Sequence, residues 1–492
     1  MPSNNAEKEL AVGEFDFVVV ANRLPVDIQY QDDGSFTWRQ SPGGLVTAME
    51  PVMRAKHGAW VGWTGGTGDT PDPFDIEGMR LAPVSLNEEE VGDYYEGFSN
   101  ATLWPLYHDV IVPAQYHRHW WDTYQRINER FAEAAARQAA HGAMVWVHDY
   151  QLQLVPQFLR KLRPDVKIGY FHHIPFPPVE LFSQLPWRTQ IVSGLLGADL
   201  VGFQRQSDAR NFLRSVRRLT GQPTRGSIVH LNERFTKTPR QVRAAAFPIS
   251  IDSKAFDERA RQPKVQERAR EIREELGNPE VVFLGVDRLD YTKGILHRLK
   301  SYGELLTEGA LAPPQSVLVM VASPSREGVE QYQMLRDEVE GTVGRLNGDY
   351  SELGHPAVHY LHHSYDHDEM TALYLAADVM LVTSLRDGMN LVAKEYVASR
   401  IDENGVLILS EFTGAADELG HSVMVNPHDY EGVKEAMVRA SEMPAREARR
   451  RMRALRRRVL ENDVAKWAER FIETLEHHPV PGSSNTDTTQ EN

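Results

Sequence analysis

A strand-sized apolar run followed by a helix-patterned stretch recurs along this chain in two successive series, and no other feature restricts the fold as strongly. The first series opens with DFVVVANR (16–23) and continues through AMVWVHDY (143–150), VKIGYFHH (166–173) and ADLVGFQ (198–204), with helix-like stretches after 150 and over 206–219. The second opens near VRAAAFPISID (242–252). It runs through EVVFLGVDR (280–288), SVLVMVAS (316–323), AVHYLHH (357–363), VMLVTSLRD (379–387) and VLILSE (406–411). Continuous apolar runs suit strands buried on both faces. Parallel strands need crossovers, and helices are the usual ones. At roughly 100–200 residues per domain, 492 residues leave room for two such domains. The expectation is therefore an α/β protein of two doubly wound domains, 14–248 and 249–478, facing across a cleft. Residues 444–475 read as terminal helices that pack back on the first domain. The polar ends 1–13 and 479–492 read as disordered.

Charge narrows the function. Lys plus Arg is 54 and Asp plus Glu is 69, a net charge of −15. Binding nucleic acid or an anionic membrane without sequence preference needs a basic face, so neither is expected as a partner. The basic run REARRRMRALRRR (446–458) reads as a solvated helix face before it reads as a polyanion site. There is no cysteine, which removes disulfides, thiol nucleophiles and zinc–thiolate sites. Met1–Glu14 lacks the apolar core of a secretory signal. No apolar run approaches the roughly 18 residues of a membrane span. A soluble, cytoplasmic protein is expected.

Ligands of open α/β sheets bind beyond the carboxyl ends of strands, and the informative residues lie there. In VMLVTSLRDGMNLVAKEYVAS (379–399), the turn 386–390 leads into a helix whose first amides and dipole favour an anion. Asp387 could accept from sugar hydroxyls and Glu395 from a ribose diol; a helix cap and a surface acid explain them equally well. In VFLGVDRLDYTKGI (282–295), Arg288 and Lys293 flank a turn before a helix and suit a diphosphate, or a salt bridge. Arg23 and Arg326 stand just beyond two further strands. Other patterns are discounted. GWTGGTGDTPDP (62–73) runs into prolines and reads as a turn, and Asp366-His367-Asp368 reads as a helix cap before it reads as a metal triplet. No metal or cofactor is expected.

Taken together, ANRLP, SPGGL (41–45), YYEGFSNATLWP (94–105), VHDYQL (147–152), FHHIPFPP (171–178), RLDYTKG (288–294), SPSREG (323–328) and RDGMNLVAKEY (386–396) occur in one order that resembles the α,α-trehalose-phosphate synthases over roughly 15–475. These are retaining glycosyltransferases of the two-domain GT-B fold, built from Rossmann-like halves. The resemblance implies transfer of glucose from a nucleotide sugar, usually UDP-glucose, to glucose 6-phosphate, giving trehalose 6-phosphate. It implies that Gly43 and Gly44 close over the donor diphosphate and that Arg288 and Lys293 bind it. Asp387, Gly388, Met389, Asn390, Leu391, Val392, Ala393 and Lys394 would meet the donor sugar and phosphate, Glu395 its ribose, and Tyr365 its base. His173 would face the transferred sugar. His173, Asp387, Arg288 and Lys293 would thus form the catalytic group. Arg23, Tyr95 and Arg326 would grip the acceptor phosphate, with Trp104 and Asp149 around the acceptor ring. A homo-oligomer, with a tetramer as one form, is expected. Tyr365 stands where a Phe can occur, which leaves base selectivity among UDP, GDP and ADP open. A relative using another acceptor, such as a glucosylglycerol-phosphate synthase, and a non-catalytic sugar-phosphate sensor are the competing readings. Trp104 with Asp149 favours a glucose ring over the first; intact Arg288, Lys293, Asp387 and Glu395 argue against the second.

Overall fold

The computed structural model describes residues 13–30, 36–40, 49, 52–68, 70–232 and 239–477. The chain divides into two compact units. One comprises 1–107, 114–247 and 468–492, the other 108–113 and 248–467.

The first unit is built on a ten-stranded sheet. Seven of its strands are parallel. In spatial order these are Arg240–Ala246, Leu200–Phe203, Lys167–His172, Ala139–His148, Phe15–Arg23, Ala59–Trp63 and Met79–Val84. Antiparallel strands Thr224–Arg225, Ile228–Leu231 and Phe74–Ile76 extend the two edges. The run expected to open the second series is thus corrected. Arg240–Ala246 pairs with Leu200–Phe203, so it closes the first sheet. An apolar run marks a strand but not the neighbour it pairs with. The helix Val464–Glu476 has its residues from 468 onward in this unit. Its Phe471 stacks on Trp146 at 4.3 Å between ring centres. Gly169 and Gly202 make room for that ring, since a Cβ on either would lie 2.7 Å from it. The preceding helix, Ala445–Glu461, lies in the second unit, where buried Arg456 bonds the Val397 carbonyl and pairs with Asp257 at 2.5 Å.

The second unit carries six parallel strands in the order Val358–Leu361, Ser316–Ser323, Val281–Arg288, Val379–Val382, Val406–Ser410, Val423–Val425. Numbered along the chain this is 3-2-1-4-5-6, the doubly wound order. The chain order of the parallel strands in the first unit reverses in the same way, between Phe15–Arg23 and Ala139–His148. Each sheet therefore has a switch point where successive crossovers leave in opposite directions and open a crevice at the strand ends. In the first unit the switch lies between the strands ending at Arg23 and His148. In the second it lies between those ending at Arg288 and Val382. Of the segments expected to be disordered, 1–12 and 479–492 lie outside the described residues, and the Gly13 amide donates to the Ala139 carbonyl at 3.1 Å. Among the described residues no helix is long and apolar enough to cross a membrane.

Candidate active site

In the second unit, two loops meet at the switch point. The first follows Val281–Arg288, with Arg288 exposed at the strand end and Lys293 closing a 3-10 turn at 291–293. Gly294 ends that turn at φ +65°, and a Cβ there would lie 2.1 Å from the Thr383 carbonyl, so glycine lets the first loop rest on the second. The Leu385 amide donates to the Thr292 carbonyl at 2.7 Å and fixes the contact. Lys293 Nζ then reaches Asp387 Oδ2 at 2.7 Å, with Asn390 Nδ2 at 3.2 Å and Ser384 Oγ at 3.3 Å from the same oxygen. Burial alone would raise the Asp387 carboxyl; the Lys293 ammonium and the Asn390 bond outweigh it and hold the carboxyl below its usual range. Behind the turn, the Asp387 amide bonds the Phe412 carbonyl and the Gly414 amide bonds the Asp387 carbonyl, each at 3.2 Å.

The helix Leu391–Ser399 starts at this turn. Asn390 sits at φ +92° and its Oδ1 accepts from the Ala393 amide at 2.9 Å. The Ala393 amide is thus taken by the helix's own cap. Lys394 follows on the same helix. Its side chain is buried and held by the Ile249 carbonyl at 2.8 Å and Glu418 at 2.5 Å, so it faces the protein interior. Met389 is buried at the turn, and Leu391 and Val392 are half-buried at the helix start. Half-buried Glu395 accepts from the Tyr374 hydroxyl at 2.8 Å, and burial raises its carboxyl above the usual value. Tyr365 packs on His363, with ring centres 4.3 Å apart. Asp366 caps its helix by accepting from Asp368 and Glu369 amides, which gives the acidic triplet a structural role. Among the described residues no three His or acidic side chains gather as a metal site.

Arg326 also belongs to this unit. It sits at φ +49° and pairs with Asp290 at 3.0 Å, also contacting the Tyr332 hydroxyl. Asp290 is fully buried. Burial works to raise its carboxyl, but Arg326, Arg288 and Lys293 bring it down to about 2. Asp290, inside RLDYTKG, thus ties Arg326 to the loop carrying Arg288 and Lys293. Sequence reasoning passed over it because an acid between cations reads as local charge balance.

The candidates of the first unit form a second group. Arg23, at the end of its strand, lies over the Trp63 ring at 5.0 Å, and Trp63 packs on Tyr95 at 5.5 Å. Tyr95 is carried by a π-helix, Val91–Leu103, a form whose departures from α geometry often mark functional sites. The Tyr95 carbonyl accepts from Asn100, whose Oδ1 takes the Tyr150 hydroxyl at 2.8 Å. Tyr150 packs against Trp104 at 5.6 Å. Asp149 follows the strand Ala139–His148 with φ +75° and ψ 169°, a backbone region that is essentially glycine's. Its amide bonds the Phe171 carbonyl at 2.8 Å, and its Oδ1 accepts from the amides of Tyr150 at 2.9 Å and His173 at 3.2 Å. Strain of this kind persists where the surroundings over-determine it and clusters at working sites. His173 Nε2 lies 3.1 Å from His148 Nδ1, and burial pushes the His173 imidazole down to about 3. Trp63, Asn100, Tyr150 and His148 were not singled out from sequence, since each alone is indistinguishable from a core residue. Gly43 and Gly44 lie outside the described residues.

Comparison with known proteins gives the chain's family. The chain is 58% identical over 489 residues to the trehalose-6-phosphate synthase of Mycobacterium bovis, covering 96% of this chain and 98% of that one. A Burkholderia xenovorans α,α-trehalose-phosphate synthase (UDP-forming), solved in complex with glucose-6-phosphate, superposes with a TM-score of 0.85 at 32% identity, covering 94% of this chain and 99% of that one. An E. coli relative bound with UDP-2-fluoro glucose superposes with a TM-score of 0.85 at 34% identity, with the same coverage of 94% and 99%. The model of glycosyltransferase family 20 matches residues 15–477, and the chain belongs to that family.

Proposed function

We propose that the chain transfers glucose from UDP-glucose to glucose 6-phosphate with retention, giving α,α-trehalose 6-phosphate and UDP. The observation that carries the reading is the meeting of Lys293 and Asp387 at the switch point of the second sheet. A cation for the diphosphate and an acceptor for sugar hydroxyls stand side by side there. Relatives matched over nearly the whole chain act on, or are bound with, these substrate types.

The residues divide the work by unit. In the second, Arg288 and Lys293 neutralise the diphosphate, Asp387 holds glucose hydroxyls, Glu395 takes the ribose diol and Tyr365 stands by the base. The amides at Gly388, Met389 and Leu391 approach the sugar and phosphate. In the first, Arg23 and Tyr95 hold the acceptor phosphate, Trp104 and Asp149 its ring, and His173 the transferred glucose. Arg326 is likewise assigned to the acceptor phosphate.

Retention by double displacement needs a carboxylate nucleophile at the anomeric carbon. Asp387, the acid placed at the donor sugar, is instead engaged by Lys293, Ser384 and Asn390. The reaction runs on one face of the sugar. The bond from the anomeric carbon to the diphosphate oxygen breaks, the acceptor oxygen bonds to that carbon on the same side, and its proton passes to the departing diphosphate. Arg288 and Lys293 stabilise the charge that develops on the leaving group. Fixed positioning of both substrates supplies much of the remainder.

The reading places the enzyme in the cytoplasm, where nucleotide sugars and sugar phosphates are found, as a homo-oligomer that sizing would test. A matrix of UDP-, GDP- and ADP-glucose against glucose 6-phosphate, free glucose and glycerol 3-phosphate tests the function. Trehalose 6-phosphate from UDP-glucose and glucose 6-phosphate is expected; transfer to glycerol 3-phosphate alone, or to nothing, overturns it.

A further inference from the structure

His148 is a fully buried histidine at the end of the strand Ala139–His148, and the roles assigned above do not use it. Its Nδ1 lies 3.1 Å from His173 Nε2, and the two rings are 5.4 Å apart at 30°. Trp146 packs against it at 4.7 Å. Two imidazoles bonded nitrogen to nitrogen must share one proton between them, because one nitrogen has to donate and the other accept. Burial pulls both rings toward the neutral form, His148 well below its usual value and His173 to about 3, and the neighbouring His173 adds to the effect on His148.

The outer nitrogen of His148 decides which way the proton faces. His148 Nε2 is buried, and no group among the described residues hydrogen bonds it. If His173 donated, His148 would have to carry its own hydrogen on Nε2 and bury an N–H without a partner. If His148 donates from Nδ1, Nε2 is a bare acceptor. Orphaned buried N–H groups are rarer in proteins than under-satisfied acceptors. The second arrangement is therefore favoured.

We infer that His148 is a positioning residue that donates from Nδ1 to His173 Nε2 and so locks His173 as a neutral imidazole with its hydrogen on Nδ1. The second-partner nitrogen of His173 then meets a ligand as a donor. This rests on the reading of His173 as the residue facing the transferred glucose. It adds a chemical consequence. With Nε2 engaged by His148 and Nδ1 already protonated, His173 has no lone pair with which to take a proton from the incoming hydroxyl. It can hold a sugar oxygen but cannot act as the general base, and the departing diphosphate remains the proton acceptor.

The test combines imidazole nitrogen NMR on the labelled full-length protein with steady-state kinetics of three variants. Wild type should show both His148 and His173 protonated on Nδ1; a His173 hydrogen on Nε2 overturns the proposal. His148→Leu removes the donor, and should leave His173 in a mixture of tautomers and lower kcat about tenfold with KM for either substrate changed less than about twofold. His148→Asn keeps an N–H close to the Nδ1 position, and should restore both the His173 tautomer and most of kcat. Unchanged tautomer and kcat in His148→Leu overturn the proposal. If that variant fails to fold, the wild-type spectrum and His148→Asn still decide. Full turnover in His173→Gln, with the wild-type spectrum as expected, overturns the reading of His173 at the sugar while leaving the tautomer assignment supported.

Discussion

The Lys293 ammonium stands 2.7 Å from the Asp387 carboxylate although the two are 94 positions apart in the chain, and both side chains are only 13% exposed. Neither charge has bulk water to fall back on. In the proposed function the pair exchanges partners, with the ammonium turning to a diphosphate and the carboxylate to sugar hydroxyls. Charged hydrogen bonds in such a place are worth about 1.5–3 kcal/mol each.

Lys293→Ala should cut turnover roughly 10- to 150-fold, the span that those energies imply. Arg288→Ala should act similarly, while both variants keep a native circular dichroism spectrum. Near wild-type kcat/KM at low UDP-glucose in either variant would show that these cations do not serve the diphosphate.

Arg326 separates two roles. If it grips the acceptor phosphate, Arg326→Ala weakens glucose 6-phosphate binding by about 1.5–3 kcal/mol and UDP-glucose much less. Arg326→Lys should rescue in part, since it keeps the charge but loses the planar fork. The 3.0 Å pair with Asp290 supplies the alternative, a purely structural cation. Calorimetric titration with glucose 6-phosphate and a melting curve distinguish them. Unchanged affinity with a lowered Tm assigns Arg326 to structure alone. Arg23→Ala should show the same loss of acceptor affinity.

Asp290 gives a pH prediction. Its carboxyl is held at about 2 in the folded protein against a usual value of 3.8. A depressed carboxyl stabilises the fold above its unfolded value, and the contribution is lost as pH falls from about 4 through about 2. The magnitude is of order 2 kcal/mol. Denaturant unfolding at stepped pH should show that loss in wild type and a shallower slope over the same window in Asp290→Asn. Parallel slopes in the two proteins would mean that Asp290 is not the group responsible.

Asp149→Gly opposes two effects of similar size. The Gly-like backbone at φ +75° costs roughly 1–3 kcal/mol for a non-glycine residue. The carboxylate's bonds to the Tyr150 and His173 amides are worth roughly the same together. Stability should change by less than about 1 kcal/mol while turnover falls at least tenfold. A fall in stability with full activity would make Asp149 a structural residue.

Activity should survive prolonged treatment with a strong chelator, because in the proposed function Arg288 and Lys293 supply the positive charge that a diphosphate requires. Complete loss restored by a single divalent ion would reverse that assignment.

The strands were legible from sequence because a strand buried on both faces has to be apolar along its length, and the runs at 16–23, 280–288, 316–323 and 379–387 show this directly. So were the charged residues at strand ends, because a cation or acid just past such a run has few places to point. What pairs with what was not legible. Arg240–Ala246 looks like the other strands, and only its ladder with Leu200–Phe203 places it in the first sheet. The strand order creates the switch points, and with them the reason why Arg23 and Asp149 share one crevice edge and Lys293 and Asp387 another. The Asn390 cap on Ala393, the Asp290 tie to Arg326 and the contact of His148 with His173 depend on separations of a few ångströms between side chains. Local apolar pattern reports burial, which each segment carries in its own composition. Hydrogen bonds and ion pairs across elements depend on register and crossover, which form only when distant segments pack, and it is those contacts that set the charge of Asp387 and the proton of His173.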